Sequence, residues 1–553
     1  MKYSQLFKIA PGAITAAMAW LFAATVLMPC MIERATAATS VSQFGFTWTF
    51  SADRTVGQYA NGDWWVVGPV TITSISPAST TDSTGWTRNG TQLNPDPYTI
   101  NGGEGFDSSL KNMWSSGLNV APSFTGSPLV VITGSVVSTI SVGQPNVNTS
   151  LPQITDAAIL TVVASAPASG SFRPPPTGSN KTSVWNKSTL DYSILKQYAP
   201  VPNTPDLATV EGYFERPWLC LREGQSIQAL TPTNNMPNYG RDIAQRISLG
   251  MLSLHLNYTA AQKSLLYMRL VQVGIDVYGS TKAGMVWKGA GGENAGRKAP
   301  MVLAGLALHD PSILEWSNAA LHFVFQEDQQ TWFVTQSDVG RVMYTADGRP
   351  RDTYTQSMVG LPEWGSYHLQ YPNNDASNWA TAYYRWIGGA WLGNILAIKL
   401  IPGGETAWNW APVFAYANRY WSIEGANGQT NQSWGPPNNI SPFVYEMWAA
   451  YAGAPPSPIS TPRVVTFAIG DRIATLGVTN VRATGALSGT LLGTQPQGGL
   501  GTIVSGPVLA DNFTWWQVDY DTGVDGWSGG DNFIKSTTPP VAPSAPQGLK
   551  VVK

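Results

Sequence analysis

Three consecutive prolines, Pro174, Pro175 and Pro176, stand where the hydrophobic rhythm of this 553-residue chain changes. Proline has no backbone N–H and favours an extended polyproline conformation, so such a run interrupts sheet and helix alike and acts as a semi-rigid connector. Before it, residues 43–172 read as strands. FGFTWTF, DWWVVGPVTITSI, PLVVITGSVVSTISV and AAILTVVAS are rich in β-branched and aromatic residues and are bounded by Gly, Pro, Asn and Ser. A β-sandwich is the expectation there, with residues 173–188 as a linker. Over residues 189–453 apolar residues recur at helical spacing: Leu266, Leu270, Val273 and Val277, then Trp379, Tyr383, Trp386, Leu396 and Leu400. Thr259 suits the N-cap of a helix running to Tyr278, and Pro311 the first turn of one running to Phe325. The period predicts five or six helices. It does not choose between helical hairpins closed into an (α/α) toroid and an open bundle.

A second Pro-rich linker, residues 454–462, leads into short strands with tight turns over 463–537. Four elements recur there in order: Asn480-Val481-Arg482, the Gly-rich turn at 498–501, Trp515-Trp516-Gln517-Val518 and Gly526-Trp527. This set, spanning about a seventh of the chain, resembles a bacterial SH3-like domain. The resemblance implies a small β-barrel used for attachment to cell-wall or other polymers, or as a spacer. The tail, residues 538–553, resembles a linker followed by the first strand of a fibronectin type III domain. The fold class expected is therefore multi-domain α+β: a β-sandwich, a toroid-like all-α domain and an SH3-like barrel.

The first 37 residues read as a signal peptide. Lys2 and Lys8 precede an uncharged apolar stretch at residues 9–31, and Ala35-Thr36-Ala37 forms an A-x-A cleavage pattern. The stretch is long enough to span a bilayer, but Pro11, Gly12 and Pro29 interrupt it, which favours cleavage over anchoring. A lipid on Cys30 is disfavoured by the Met28-Pro29 that precedes it. Export, to the outside or the periplasm, and no stable membrane anchor after cleavage are the expectations. Losing Cys30 would leave Cys220 as a single thiol, with no internal disulfide.

Composition narrows the partners. The 23 Trp and 21 Tyr supply stacking surface, and charged residues make up only 12% of the chain. The formal net charge of −2 gives no basic footprint for nucleic acid, which is excluded as an expected partner.

Three stretches carry candidate chemistry. In KGAGGENAGRKAPMVLAGLALHD (288–310) a glycine-rich polar loop ends where a helix begins, and a helix N-terminus offers free N–H donors to an anion. Glu293, Asn294, Arg297 and Lys298 sit at that junction, where helix capping with a paired arginine is an equally good reading. The glycine spacing matches no nucleotide-binding loop. In HFVFQEDQQTWF (322–333), Glu327 and Asp328 are open to reading as catalytic carboxylates, metal ligands or a polar patch where a helix meets a loop; adjacent acids do not face one another on a helix, so a structural role is favoured. The long polar stretch 338–386 carries Arg341, Tyr344, Tyr354, Glu363, His368, Tyr371 and Asp375, and segments of that length in compact domains are usually functional or disordered. It is the leading site candidate. His255, His309 and His322 lie in or beside apolar helical text and read as structural. Metal sites of the H-E-x-x-H or Cys/His kind are absent from the sequence, no cofactor is expected, and a structural Ca²⁺ is left undecided.

The GRKAP junction, the EDQQTWF helix end and the PEWGSYH loop, in that order, resemble the (α/α) toroid polysaccharide lyases, a set including alginate, glucuronan and heparin-type enzymes. The resemblance covers roughly half the chain. It implies β-elimination on an acidic polysaccharide, and the polar residues of these stretches suggest the roles that step needs: Asn294 with Arg297 or Arg341 neutralising the sugar carboxylate, His368 as base, and Tyr344 as acid with Tyr371 as its substitute. Such lyases commonly carry a His near a loop like 289–296, where this chain has Glu293-Asn294. Two alternatives stay open. One is a glycoside hydrolase pairing Glu293 with Glu363 or Asp375. The other is a non-catalytic glycan-binding protein tethered to a wall or partner through the SH3-like part.

Overall fold

The structure is a computed structural model that describes residues 35–97, 102–120, 128–143, 152–341, 353–365, 382–425, 441–452, 467–475, 479–486, 488–510 and 513–539. Tyr344, His368, Tyr371 and Asp375, the leader before Ala35, the second linker and most of the tail lie outside those residues.

The N-terminal strands are β1 (Thr36–Gln43), β2 (Phe46–Gln58), β3 (Trp64–Val67), β4 (Val70–Ser76), β5 (Thr80–Thr81), β6 (Thr87–Arg88), β7 (Thr91–Leu93), β8 (Leu129–Val131), β9 (Gly134–Ser141) and β10 (Ile154–Val163). Where two stacked sheets were expected, they form one curled mixed sheet, a half-barrel ordered β7-β9-β10-β3-β2-β4-β8 with β1 on β2, beside a small β5–β6 ribbon. β10 runs parallel to β3 and antiparallel to β9. The expected cleavage triplet touches this sheet: β1 begins at Thr36, and Ala37 pairs with Thr55.

β10 shows why no second sheet is needed. Alternate residues of a strand point to opposite faces, and both faces of β10 are buried. Ala158, Leu160 and Val162 join Trp48, Phe50, Val66 and Ile72 inside the curl. Ala157 and Ile159 meet Leu219, Leu221, Ala229 and Leu230, from beyond the Pro-rich segment. The covering layer comes from the helical region.

That region contains α1 (Leu207–Gly212), α2 (Gly240–Leu254), α3 (Ala260–Lys282), α4 (Lys298–Ala307), α5 (Pro311–Ser317), α6 (Gln326–Gln329), α7 (Ala382–Leu400), α8 (Gly404–Trp408), α9 (Ala411–Tyr420) and α10 (Pro442–Tyr451). A ribbon of β11 (Thr331–Phe333) and β12 (Pro362–Trp364) interrupts it. Thr259 caps α3 through a reciprocal capping box with Gln262. Pro311 opens α5 as expected, with Asp310 as N-cap, but the helix stops at Ser317 and not near Phe325. Asn318 is extended there, and its side-chain oxygen accepts from the Ala320 N–H and Asn409 Nδ2, a local alternative to continuing the helix.

The first part of the Pro-rich segment expected as a linker, residues 173–177, is a buried strap, whereas most of residues 178–188 are exposed or half-buried. Arg173 is 0% exposed, with Nε 2.6 Å from Asp63 Oδ2 and Nη2 2.5 Å from Asp276 Oδ2 of α3. Gln272, one turn before Asp276, accepts from the Arg173 N–H and donates to its carbonyl. Lys181 Nζ donates to the carbonyls of Pro175, Pro176 and Thr177, and burial pulls its ammonium down to about 7. The strap passes so close to α3 that a Cβ on Gly279 would lie 2.2 Å from Pro175 Cβ. Sheet and helices are therefore joined by a shared core and by buried charge.

The C-terminal strands are β13 (Arg472–Thr475), β14 (Thr479–Arg482), β15 (Leu491–Gln495), β16 (Leu500–Ala510), β17 (Phe513–Tyr520), β18 (Gly526–Gly529) and β19 (Phe533–Lys535). They form an antiparallel sheet ordered β15-β14-β18-β17-β16-β13-β19 around Ile473, Val481, Ile503, Trp516, Val518, Tyr520 and Phe533. Three stretches singled out in the sequence are neighbours here: Trp527 pairs with both Arg482 and Gln517.

Candidate functional site

The junction before α4 is built inward. Asn294 is 0% exposed and both ends of its amide are engaged: Nδ2 donates to the Lys288 carbonyl, and Oδ1 accepts from the Gly224 N–H. Its own N–H donates to Gln326 Oε1. Gly296 adopts φ +89°, a region that disfavours side chains, and its N–H donates to Glu327 Oε1 at 2.6 Å. Arg297 is 1% exposed, bonds the Ala295 carbonyl and lies against the buried Cys220 thiol. Burial pushes that thiol up, against the pull of the guanidinium. Glu293 is half-buried. The N–H donors of the loop just before this helix, Asn294 and Gly296, are thus met by Gln326 and Glu327, no side chain caps the helix itself, and Asn294 and Arg297 lie within the core.

Glu327 and Asp328 are buried, on separate partners. Lys298 Nζ lies 2.5 Å from Asp328 Oδ2, with both side chains 0% exposed, and Trp408 Nε1 donates to Asp328 Oδ1 at 2.7 Å. The ammonium also faces the Trp408 ring at 4.8 Å and the Phe325 ring at 5.7 Å. Burial is the main force on each member of the pair, lowering Lys298 and raising Asp328.

Glu327 is pushed up to about 7, chiefly by burial, with the Gly296 N–H opposing. Its folded value exceeds the ordinary 4.5, so the folded chain holds a proton the unfolded chain has released. Its contribution to stability is present below about pH 4.5 and lost as pH rises through about 7. Glu327→Gln keeps the Oε1 acceptor and removes the charge. Relative to the parent it should gain up to about 3 kcal/mol between pH 4.5 and 8, from roughly 2.5 units at 1.36 kcal/mol each. Urea unfolding of both proteins at the two pH values measures this, and a difference independent of pH would contradict it.

The base of the 338–386 stretch is also buried. Glu363 on β12 is 1% exposed, ion-paired with Arg419 of α9, and accepts from the Tyr354 hydroxyl at 3.3 Å. Arg419 donates to the Pro362 carbonyl as well. Burial, with Glu363 adding to it, pushes the Tyr354 hydroxyl far up. Tyr354 also bridges to Val339, and the Gly340 N–H donates to its carbonyl, closing the chain on either side of residues 342–352. Arg341 is exposed at that edge. The remaining histidines stand apart. His255 is buried, accepts at Nδ1 from the Lys196 N–H and is pulled down to about 3 by burial, so it is neutral. His309 lies 3.3 Å from Asp191, and His322 stacks on Trp316.

A feature the sequence did not announce lies at the seam between sheet and helices. A cleft of about 380 Å³ is lined by Tyr213, Glu215, Arg216, Asn234, Asn235 and Arg246, among others. Arg216 bonds Asp156 of β10 through Nε and Glu215 through Nη1. Asn234 Nδ2 donates to the same Asp156, and Asn235 Nδ2 to the Tyr213 carbonyl. The Arg246 guanidinium carbon lies over the Tyr213 ring, 3.6 Å from its centroid. These residues come from three separate stretches, and each stretch alone reads as a loop or a solvated helix face. No short motif connects them.

Among the described residues no group of three or more His, Cys, Asp or Glu is placed to hold a metal ion, and no helix is long and apolar enough to cross a membrane. Comparison with protein-family models, curated proteins and solved structures finds no match to this chain.

Proposed function

We propose that this chain is an exported enzyme, secreted or periplasmic, that depolymerises an acidic, uronate-containing polysaccharide by β-elimination. In this reading the helical region is a toroid-like catalytic domain and the C-terminal sheet an SH3-like barrel that attaches the enzyme to cell-wall polymer. His368 takes the proton from the carbon bearing the sugar carboxylate. The C–H electron pair becomes the new C=C bond, the neighbouring bond to the glycosidic oxygen breaks, and Tyr344, or Tyr371 in its place, protonates that oxygen. Arg341, exposed at the rim of the loop, offsets the carboxylate charge. No cofactor enters.

What supports the reading is the framing of the loop. Tyr354, Glu363 and Arg419 form a buried anchor at its base, which suits a polar segment that must present side chains on a rigid support. The same anchor counts against a hydrolase using Glu363, because that carboxylate is already ion-paired and 1% exposed.

Incubation with a panel of uronate polymers, read by the near-ultraviolet absorbance of an unsaturated sugar end, tests the reaction. The expected result is absorbing product from the parent and none from His368→Ala or Tyr344→Phe. Shortened polymer without absorbance would instead indicate hydrolysis, and binding without shortening a non-catalytic role. Full rates in both variants would defeat the residue assignment.

A further inference from the structure

We infer that the cleft at Tyr213 and Arg246 is a binding subsite for a carboxylate-bearing sugar unit. Three arginines gather at this seam, and two are spoken for. Arg216 bonds Asp156 and Glu215, and its guanidinium also lies 4.8 Å over the Phe44 ring. Arg269 faces Glu215 at 3.7 Å and donates to the Glu211 carbonyl. Arg246 differs: among the described residues no carboxylate lies within ion-pair distance of it, and its contact is the Tyr213 ring. The guanidinium carbon lies 3.6 Å from the Tyr213 ring centroid, and Arg246 itself lines the cleft, so its N–H donors are placed beside that space. A carboxylate is the partner that matches that planar fork with two parallel hydrogen bonds.

The surroundings hold the fork in place. The Tyr213 carbonyl accepts from Asn235 Nδ2 at 3.0 Å and Trp218 Nε1 at 3.1 Å, so the residue under Arg246 is pinned twice. Asn234, tied through Nδ2 to Asp156, is exposed and keeps its carbonyl oxygen for a sugar hydroxyl. About 380 Å³ falls within the ~300–1,000 Å³ typical of small-ligand pockets. One face of the tyrosine is covered by charge, so a neutral sugar gains less here than an acidic one. The identity of the ligand as a uronate rests on the function proposed above; the demand for an anion comes from Arg246 itself.

Calorimetric titration of the full chain carrying His368→Ala, with a uronate oligosaccharide and with a neutral oligosaccharide of the same length, is the test. The His368→Ala background leaves the oligomer uncut. Uronate is expected to bind and the neutral oligomer to bind far more weakly. Adding Arg246→Ala should weaken uronate binding about tenfold or more, and Arg246→Lys, which keeps the charge but loses the fork, should recover only part of it. Arg246→Gln serves as a third variant should the alanine form fold poorly. Uronate affinity unchanged in the Arg246 variants, or equal affinity for the neutral oligomer, overturns the inference. The two proposals separate cleanly: Arg246-dependent binding with no unsaturated product from the parent sinks the elimination reading and leaves the subsite. Unsaturated product with binding indifferent to Arg246 does the reverse.

Discussion

Arg173→Met is expected to lower the stability of the joined sheet and helices by about 3–5 kcal/mol, because it strips the partner from two buried carboxylates at once. Asp63 and Asp276 are 1% and 4% exposed, and each places an oxygen within 2.6 Å of the guanidinium. Asp63 belongs to the turn between β2 and β3 and Asp276 to α3, so the loss falls on the seam between the two parts. The pH dependence follows from Asp276. Its carboxyl is already pushed up to about 6, by burial first, with Arg173 pulling it down. Without the guanidinium it holds its proton to higher pH still. The folded variant then retains a proton that the unfolded chain releases near 3.8, and stability falls as pH rises through that widened window. The deficit should therefore be larger at pH 8 than at pH 5. Urea unfolding at both values measures it. A loss below about 1 kcal/mol, the scale of an exposed ion pair, or a deficit that shrinks on the alkaline side, would contradict the account. Adding Asp63→Asn and Asp276→Asn should recover most of the stability, since amides leave no uncompensated charge.

Lys298→Met should cost a comparable amount, about 3–5 kcal/mol, for the same physical reason at a different place. Both members of the Lys298–Asp328 pair are 0% exposed, and the ammonium also bonds the Trp408 carbonyl at 3.3 Å. Methionine fills much of the lysine volume but leaves the Asp328 carboxylate facing only the Trp408 indole. The decisive comparison is the double variant Lys298→Met with Asp328→Asn. Asparagine keeps the Oδ1 acceptor for Trp408 Nε1 and removes the charge, so the double variant should be clearly more stable than Lys298→Met alone. If the two unfold together in urea, the loss comes from packing and the charge argument is wrong.

Much of the secondary structure was legible. The Thr259 cap, the Pro311 helix start and the strand runs before residue 172 were readable because capping and alternation involve residues within about four positions of one another. The site was less so. For Glu327 and Asp328 the sequence favours a structural role without naming partners; one accepts from Gly296 and the other pairs with Lys298, 31 and 30 positions earlier in the chain. For Asn294 and Arg297 the sequence leaves two readings open, donors to a ligand or a capping turn with a paired arginine; the structure encloses both residues and shows no side-chain cap at that helix. The cleft was invisible because Tyr213, Asn234 and Arg246 meet only after the helices pack.

The Pro-rich segment shows where the division lies. From sequence alone the three prolines mark a change of architecture, and strands do precede them and helices follow, since proline's missing donor and the two hydrophobic periods act locally. Whether that boundary separates the two parts or joins them was decided by tertiary structure. Arg173 reaches one carboxylate 110 positions before it and another 103 positions after it. Burying a charge is favourable only when such partners arrive together, and no pattern within a few residues records whether they will.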